Sequence, residues 1–176
     1  MSEKHSVDRS DETKGSGNMK GETREKIIMS VLAITFVLNI VAINLFPPTI
    51  KELVIVGWTI FGFGALLYIV SVLTLGRRGV SNIVDSGIYG IVRHPMYLGA
   101  MAMFLSHIFL GQNWIAAIGT AVAIVCCYLI ILSEDQRNAE KFGDEYKRYM
   151  EKVPRMNIIV GILRLVHRGI RESEGK

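Results

Sequence analysis

Charged side chains are almost absent from the long middle part of this sequence. Of its 20 basic and 16 acidic residues, only four and two lie within residues 27–133. These six are Lys51, Glu52, Arg77, Arg78, Asp85 and Arg93. A block of this length with so few charges is typical of a chain that lies in a lipid bilayer. The segregation of charge to both flanks therefore predicts an integral membrane protein.

The apolar block divides into four runs. Residues 27–46, 53–75 and 114–133 are each long enough to cross the hydrocarbon layer as a helix. Residues 95–110 are short for a span on their own. Because a turn of three residues joins them to the fourth run, these two runs predict a tight antiparallel helical hairpin. We expect an all-α, polytopic protein with about four transmembrane helices.

One side of the second run is made of small residues. Gly57, Gly64 and Ser71 recur every seven residues along it. Small side chains at this spacing let two membrane helices approach closely. The pattern predicts a helix–helix contact on this face.

Basic residues predict how these helices are oriented. Arg77, Arg78 and Arg93 lie in the loop 76–94, and four more basic residues follow the fourth run closely. The connections at the opposite end carry only Lys51. Because cytoplasmic loops are enriched in Lys and Arg, we expect a multi-pass protein with this loop and both termini in the cytoplasm.

Polar segments flank the apolar block. Residues 1–26 balance six basic against six acidic residues and predict a disordered tail without a signal peptide. Residues 134–142 predict a helix that stops at Gly143, and Asp144 is expected to cap a second short helix. Residues 157–170 predict an amphipathic helix on the membrane surface, or a partial fifth span.

Composition argues against two other kinds of protein. The net charge of +4 is modest and no dense basic tract appears, so we expect no nucleic-acid partner. Cys126 and Cys127 are neighbours in an apolar run, an arrangement that suits neither a disulfide nor a metal site. We therefore expect no metal and inert packing of both thiols.

The predicted hairpin brings two distant polar segments together. Its two arms begin and end on the same membrane face, so Arg93, His94 and Tyr97 become neighbours of Glu134 and Asp135. A cationic pair and an acidic pair then meet at the cytoplasmic mouth of the bundle. This pattern predicts a cytosolic pocket for a polar, charged ligand next to the bilayer.

Each residue of this divided site has a physical use. Pro95 suits the first turn of a helix, whose open N–H groups attract an anion. Arg93 and His94 add charge-assisted hydrogen bonds to a carboxylate. Tyr97 lies on the same side of the helix. Gly99 lets a ligand or another helix approach the backbone closely.

The acidic half of the site suits cationic and hydroxyl groups. Glu134 and Asp135 accept hydrogen bonds, and aromatic faces favour a cation. One helical side collects Asp135, Asn138, Phe142, Tyr146 and Tyr149. S-adenosylmethionine carries the carboxylate, ammonium, ribose and sulfonium that such a site would suit. Taken singly, these residues also fit orientation signals and interface anchors.

Two sequence blocks resemble a known family. GIYGIVRHPMYLGA is followed about 35 residues later by EDQRNAEKFGDEYKRYMEKVPR. This combination resembles the isoprenylcysteine carboxyl methyltransferase and phospholipid methyltransferase superfamily. The matching positions are Gly87, Tyr89, Arg93, His94, Pro95, Tyr97, Gly99, Glu134, Asp135, Phe142, Gly143, Glu145, Tyr146, Tyr149, Val153 and Pro154.

The resemblance implies an S-adenosylmethionine-dependent membrane methyltransferase that takes a lipophilic or prenylated substrate from the bilayer. It implies cofactor contacts for His94, Pro95, Tyr97, Gly99 and Glu134, with Tyr89, Arg93, Asp135, Tyr146 and Tyr149 near them. The expected division is a tail over 1–26, two transmembrane helices over 27–75, a catalytic core over 76–155, and an amphipathic C-terminal helix and tail over 156–176.

The acceptor is the open part of this interpretation. Residues 126–133 lack the arginine that the eukaryotic isoprenylcysteine enzymes carry before their acidic run, and Asp135 replaces the usual Glu. We expect a prenylcysteine-type carboxylate, oriented by Arg93 or Arg155, to be methylated without a general base. A phospholipid amine, assisted by Glu134, and a small thiol are alternatives. A non-catalytic membrane protein that retains the fold is another.

Overall fold

Helices make up all the regular secondary structure in residues 3–78 and 82–174, the residues that the computed structural model describes. They are α1 (Glu3–Leu45), α2 (Lys51–Arg78), a short 3₁₀ helix (Gly87–Gly90), α3 (Pro95–Gly111), α4 (Trp114–Phe142), α5 (Asp144–Lys152) and α6 (Ile158–Glu174). The predicted all-α class is confirmed.

Three helices in the described part of the chain are long and apolar enough to cross a membrane. Their apolar parts are Thr23–Leu45, Lys51–Arg77 and Trp114–Phe142. Helix α3 has 17 residues and is shorter than these three. It belongs to the bundle nevertheless, because it packs along α2 and against α4. The protein is therefore a helical membrane protein.

Helix α1 begins earlier than the sequence predicted. A disordered tail was expected over residues 1–26, but the helix runs from Glu3 to Leu45. The two residues before it lie outside the described part. Proline breaks helices, and none lies before residue 47. The helix can therefore extend from the apolar run towards the N-terminus. At its other end, α1 stops just before Pro47 and Pro48, as expected.

The small-residue face of α2 packs against α3. A Cβ on Gly64 would lie 2.7 Å from the carbonyl oxygen of Gly99, and one on Gly57 would lie 2.8 Å from the side chain of Leu110. Ser71 is fully buried, and its hydroxyl donates to the Leu67 carbonyl (2.6 Å). The predicted helix–helix contact is confirmed, and its partner is α3.

The turn of the hairpin is fixed by its own side chains. The Asn113 side chain caps α4 by accepting a hydrogen bond from the Ala116 amide (2.9 Å). The Gln112 side chain accepts hydrogen bonds from the amides of Thr49 and Ile50 (3.1 and 2.8 Å). The α3–α4 turn and the α1–α2 connection therefore lie together at one end of the bundle.

A buried polar pair joins α1 to α3 within the bundle. The side-chain amide of Asn39 lies 3.2 Å from Nδ1 of His107, and both residues are almost completely buried. The His107 ring also packs against Phe36 and Phe104. His107 is thus a packed residue within the bundle.

The polar helix predicted after the fourth run is the continuation of α4. It stops at Gly143, whose φ of 58° suits glycine. Asp144 does not cap α5, contrary to expectation: Gly143 holds the N-cap position, and the Asp144 carboxylate pairs with Lys147 one turn later (2.9 Å). Helix α6 follows as the expected C-terminal helix.

Candidate functional site

A backbone clamp holds the segment before α3. The amide of Arg93 donates to the Pro154 carbonyl (3.0 Å), and the amide of His94 donates to the Arg155 carbonyl (3.3 Å). Pro95 then opens α3 and is buried. Because Pro154 and Arg155 lie just after α5, the clamp joins the segment before α3 to the segment after α5.

Asp135 is the anionic centre of this region. Its Oδ1 atom lies 3.1 Å from an Arg93 guanidinium nitrogen and 2.8 Å from His94 Nε2, and it accepts the Tyr146 hydroxyl hydrogen bond (2.7 Å). Its Oδ2 atom accepts a hydrogen bond from Arg155 Nε (2.8 Å). Four side chains from three segments thus meet at one buried carboxylate.

This cluster has a large effect on the free energy of folding, because its charges are buried. The side chains of Arg93, His94 and Asp135 are at most 8% exposed. A buried charge is costly unless it is paired and hydrogen-bonded. The Asp135 carboxylate therefore offsets the cost of placing the Arg93 guanidinium beside an apolar helix.

A cavity of about 270 Å³ opens beside the cluster. It lies between the segment before α3, the end of α4 and helix α5. Its lining residues are Leu75, Asn82, Ile83, Val84, Tyr89, Arg93, His94, Met96, Tyr97, Glu134, Asn138, Phe142, Tyr146 and Tyr149. Arg93 and Glu134 supply charged groups to the wall of the cavity, and aromatic rings supply much of the rest.

Glu134 and Asp135 point in different directions. Glu134 lines the cavity and pairs with Arg137, which also contacts Glu25 of α1 (3.0 Å). Asp135 points into the cationic cluster. Because adjacent residues on a helix project about 100° apart, one carboxylate faces the cavity and the other stabilises its wall.

The tyrosines of the wall are hydrogen-bond donors at neutral pH. Burial, followed by the hydrogen bond to Asp135, raises the pKa of Tyr146 to about 12. Burial also raises the pKa of Tyr149, whose hydroxyl donates to the Tyr89 carbonyl (2.7 Å). These bonds hold the rings in place as rigid apolar faces.

The cavity has the donor and acceptor groups that S-adenosylmethionine requires. Within the described chain, Nε of Arg93 is buried and has no hydrogen-bond partner. Arg93 also lines the cavity, where its positive charge would suit a carboxylate. Glu134 and Asn138 offer acceptors, and Tyr97 and Phe142 offer aromatic faces for a cation. The residues present therefore fit this cofactor.

Most of the residues that the sequence singled out meet at this cavity. Its lining includes Tyr89, Arg93, His94, Tyr97, Glu134, Tyr146 and Tyr149. Four others lie elsewhere. Asp135 and Arg155 form the ion cluster, Pro95 is buried at the start of α3, and Gly99 faces the backbone of α2 at Gly64.

Sequence reasoning missed part of the wall. Leu75, Asn82, Ile83, Val84 and Met96 line the cavity without having been singled out. Asn82 to Val84 belong to the polar loop before Arg93. Their place in this loop is the sequence feature that could have indicated them as cavity residues. Met96 lies between Pro95 and Tyr97, inside the block GIYGIVRHPMYLGA that resembles the family.

Together the fold and the cavity define a helical membrane protein with a polar, aromatic-walled cavity at one end of its bundle. Comparison with family models identifies the family: the phospholipid methyltransferase model matches residues 53–145, more than half of the chain. The chain therefore belongs to the phospholipid methyltransferase family, part of the superfamily of membrane methyltransferases that also contains the isoprenylcysteine carboxyl methyltransferases. Comparisons with curated proteins and with solved structures gave no match.

Proposed function

We propose that this protein transfers a methyl group from S-adenosylmethionine to a lipophilic acceptor at the cytosolic membrane face. One observation carries the proposal. Arg93 and Glu134 are 41 residues apart in the chain, yet they line one aromatic-walled cavity at the end of an apolar bundle. The family supports a methyltransferase, and the basic loops support the orientation.

The chain's own groups divide the work of binding. When bound, S-adenosylmethionine supplies a methyl group attached to a positively charged sulfur. Arg93 offers its positive charge to an anionic group, and Glu134 accepts hydrogen bonds from the ligand. The tyrosine rings exclude water and favour positive charge. Positioning and water exclusion are therefore the main contributions of the protein to the reaction.

The acceptor that we favour is a prenylcysteine-type carboxylate. The Arg155 side chain is 36% exposed and lies between Asp135 and the hydroxyl of Tyr128, a residue on the exposed apolar surface of α4. A guanidinium in this position would orient an anionic acceptor arriving from the bilayer. A carboxylate reacts as its anion, so the reaction needs no general base.

A phospholipid amine is the second candidate. The family model that matches is that of the phospholipid methyltransferases. An ammonium must lose a proton before it accepts a methyl group, and Glu134 is a carboxylate that lines the cavity. A small thiol reacts as its thiolate after losing its proton to solvent, and its methylation is the third outcome of the test.

A labelled-methyl assay separates these acceptors. The full chain in bilayer nanodiscs receives S-adenosylmethionine with a tritiated methyl group and one acceptor: a prenylcysteine analogue, phosphatidylethanolamine or a small thiol. We expect label in the prenylcysteine product, released as volatile methanol by mild base, because esters hydrolyse whereas methylated amines and thioethers do not. Label in the amine or the thiol alone would replace the favoured acceptor. No label in any acceptor would overturn the enzymatic proposal.

A further inference from the structure

A second concave site lies between α5 and α6. It has a volume of about 590 Å³ and shares no lining residue with the cavity described above. Its walls are formed by Glu151, Lys152, Val160, Leu163, Arg164 and His167. We call it the α5–α6 groove. Three of its six lining residues are basic in type, two are aliphatic, and Glu151 is acidic.

One of the basic side chains is already oriented by the fold. A guanidinium nitrogen of Arg164 donates to the Glu151 carbonyl (3.0 Å), which holds the side chain across the groove. Lys152, at the end of α5, lines the same groove. Two cationic groups on two helices can therefore approach one anionic group, which is an arrangement that suits a phosphate.

The apolar side of α6 is directed away from the protein. The side chains of Ile159, Leu163 and Val166 are more than half exposed. Exposed apolar side chains also cover much of α1, α2 and α4. A helix with an apolar face and a basic polar face is typical of helices that lie in the membrane interface. The lipid that surrounds the bundle is thus the environment that matches this face.

One close contact joins α6 to the polar end of the bundle. A Cβ on Gly161 would overlap the carbonyl oxygen of Ile91, so the helix touches the loop before α3 directly. The Asn157 side chain caps α6 by accepting a hydrogen bond from the Val160 amide (3.0 Å). Because Arg93 and His94 lie in the same loop, the groove is held beside the end of the bundle that carries the polar site.

We propose that the α5–α6 groove binds the headgroup of an anionic phospholipid. Lys152 and Arg164 contact the lipid phosphate, and the acyl chains continue along the apolar face of α6 through Val160 and Leu163. The bound lipid is a ligand that seats α6 on the membrane and is separate from the methyl acceptor. This inference does not depend on the identity of the acceptor.

Native mass spectrometry of the full chain tests this site. The protein in detergent is titrated with dioleoylphosphatidylglycerol or dioleoylphosphatidylcholine. We expect preferential retention of phosphatidylglycerol, reduced about tenfold in the double variant Lys152→Gln/Arg164→Gln, since each basic residue near a lipid surface contributes modestly. The double variant Lys147→Gln/Arg148→Gln removes two exposed basic side chains of α5 that do not line the groove and should retain the lipid like the unmodified chain.

Three results would overturn the proposal. One is equal retention of both lipids by the unmodified chain. Another is undiminished phosphatidylglycerol retention in the Lys152→Gln/Arg164→Gln variant. The third is displacement of the bound lipid by inorganic phosphate at about 10 mM, which would identify a site for a soluble anion. Thermal unfolding of both double variants shows whether a loss of lipid comes from a loss of fold.

Discussion

Replacing Asp135 by alanine is expected to abolish methyl transfer and to lower the free energy of unfolding by about 3–5 kcal/mol. The Asp135 carboxylate contacts Arg93, His94, Tyr146 and Arg155, and its side chain is only 7% exposed. Its removal leaves the buried Arg93 guanidinium without a counter-charge. The cavity wall that Arg93 and His94 form would then lose its geometry.

Two measurements check this prediction: thermal unfolding in detergent and the labelled-methyl assay. Asp144→Ala is the matched control, because the Asp144 carboxylate is 85% exposed and pairs only with Lys147 among the contacts found for it. It should change neither stability nor activity measurably. Asp135→Asn keeps the shape of the side chain without its charge. Its stability and activity should lie between those of Asp135→Ala and those of Asp144→Ala. Normal activity and normal unfolding of Asp135→Ala would show that the cluster has no such role.

Replacing Gly99 by leucine is expected to prevent α2 and α3 from packing. A Cβ at this position would lie 2.6 Å from the Gly64 carbonyl oxygen and 2.8 Å from the Tyr68 amide nitrogen. Both contacts are with backbone, which cannot move aside as a side chain can. Since α3 carries the Arg93–His94 segment at its start, separation of the helices should also remove activity.

Size-exclusion chromatography and the methyl-transfer assay report this effect. We expect aggregated or poorly expressed Gly99→Leu protein without activity. Gly62→Leu is the matched control, because Gly62 lies on α2 with open space around its Cβ position. It should remain monodisperse and active. A monodisperse, active Gly99→Leu protein would contradict the close crossing at Gly64.

The sequence predicted the main outline of the bundle because strong local signals coincide there. Pro95 begins α3 and Gly143 ends α4, as their backbone preferences dictate. Charge segregation indicated the membrane, and the short hairpin turn brought the Arg93 and Glu134 segments together. These signals depend only on local conformation and on solvent.

Local signals could not predict which side chains of the site face the cavity and which stabilise its wall. Spacing along the chain does not show which of two adjacent carboxylates faces a cavity. Only the family resemblance distinguished Glu134, as a cofactor contact, from Asp135. Gly99 was compatible with a ligand or a helix as its neighbour, and the helix is what the fold provides. Arg155 follows a break at Val153 and Pro154, and its contact with Asp135 depends on the direction of the chain after that break.

The part of α1 that precedes the apolar run was also not predicted from the sequence. A polar segment of mixed charge carries no apolar face from which a helix can be read, so composition predicted disorder for residues 1–26. The ion pair between Glu25 and Arg137 and the contact between Arg24 and Ser133 join this part of α1 to the end of α4. Such tertiary contacts between distant residues leave no periodic signal in the sequence.

Titration calorimetry with S-adenosylmethionine tests the divided site most directly. We expect the full chain in detergent to bind with a free energy of roughly −5 to −8 kcal/mol. His94→Ala and Glu134→Ala, one from each segment, should each weaken binding at least about tenfold. Glu140→Ala, an exposed carboxylate of α4 that does not line the cavity, should leave binding unchanged. Unchanged binding in both His94→Ala and Glu134→Ala would contradict a cofactor site shared between the two segments.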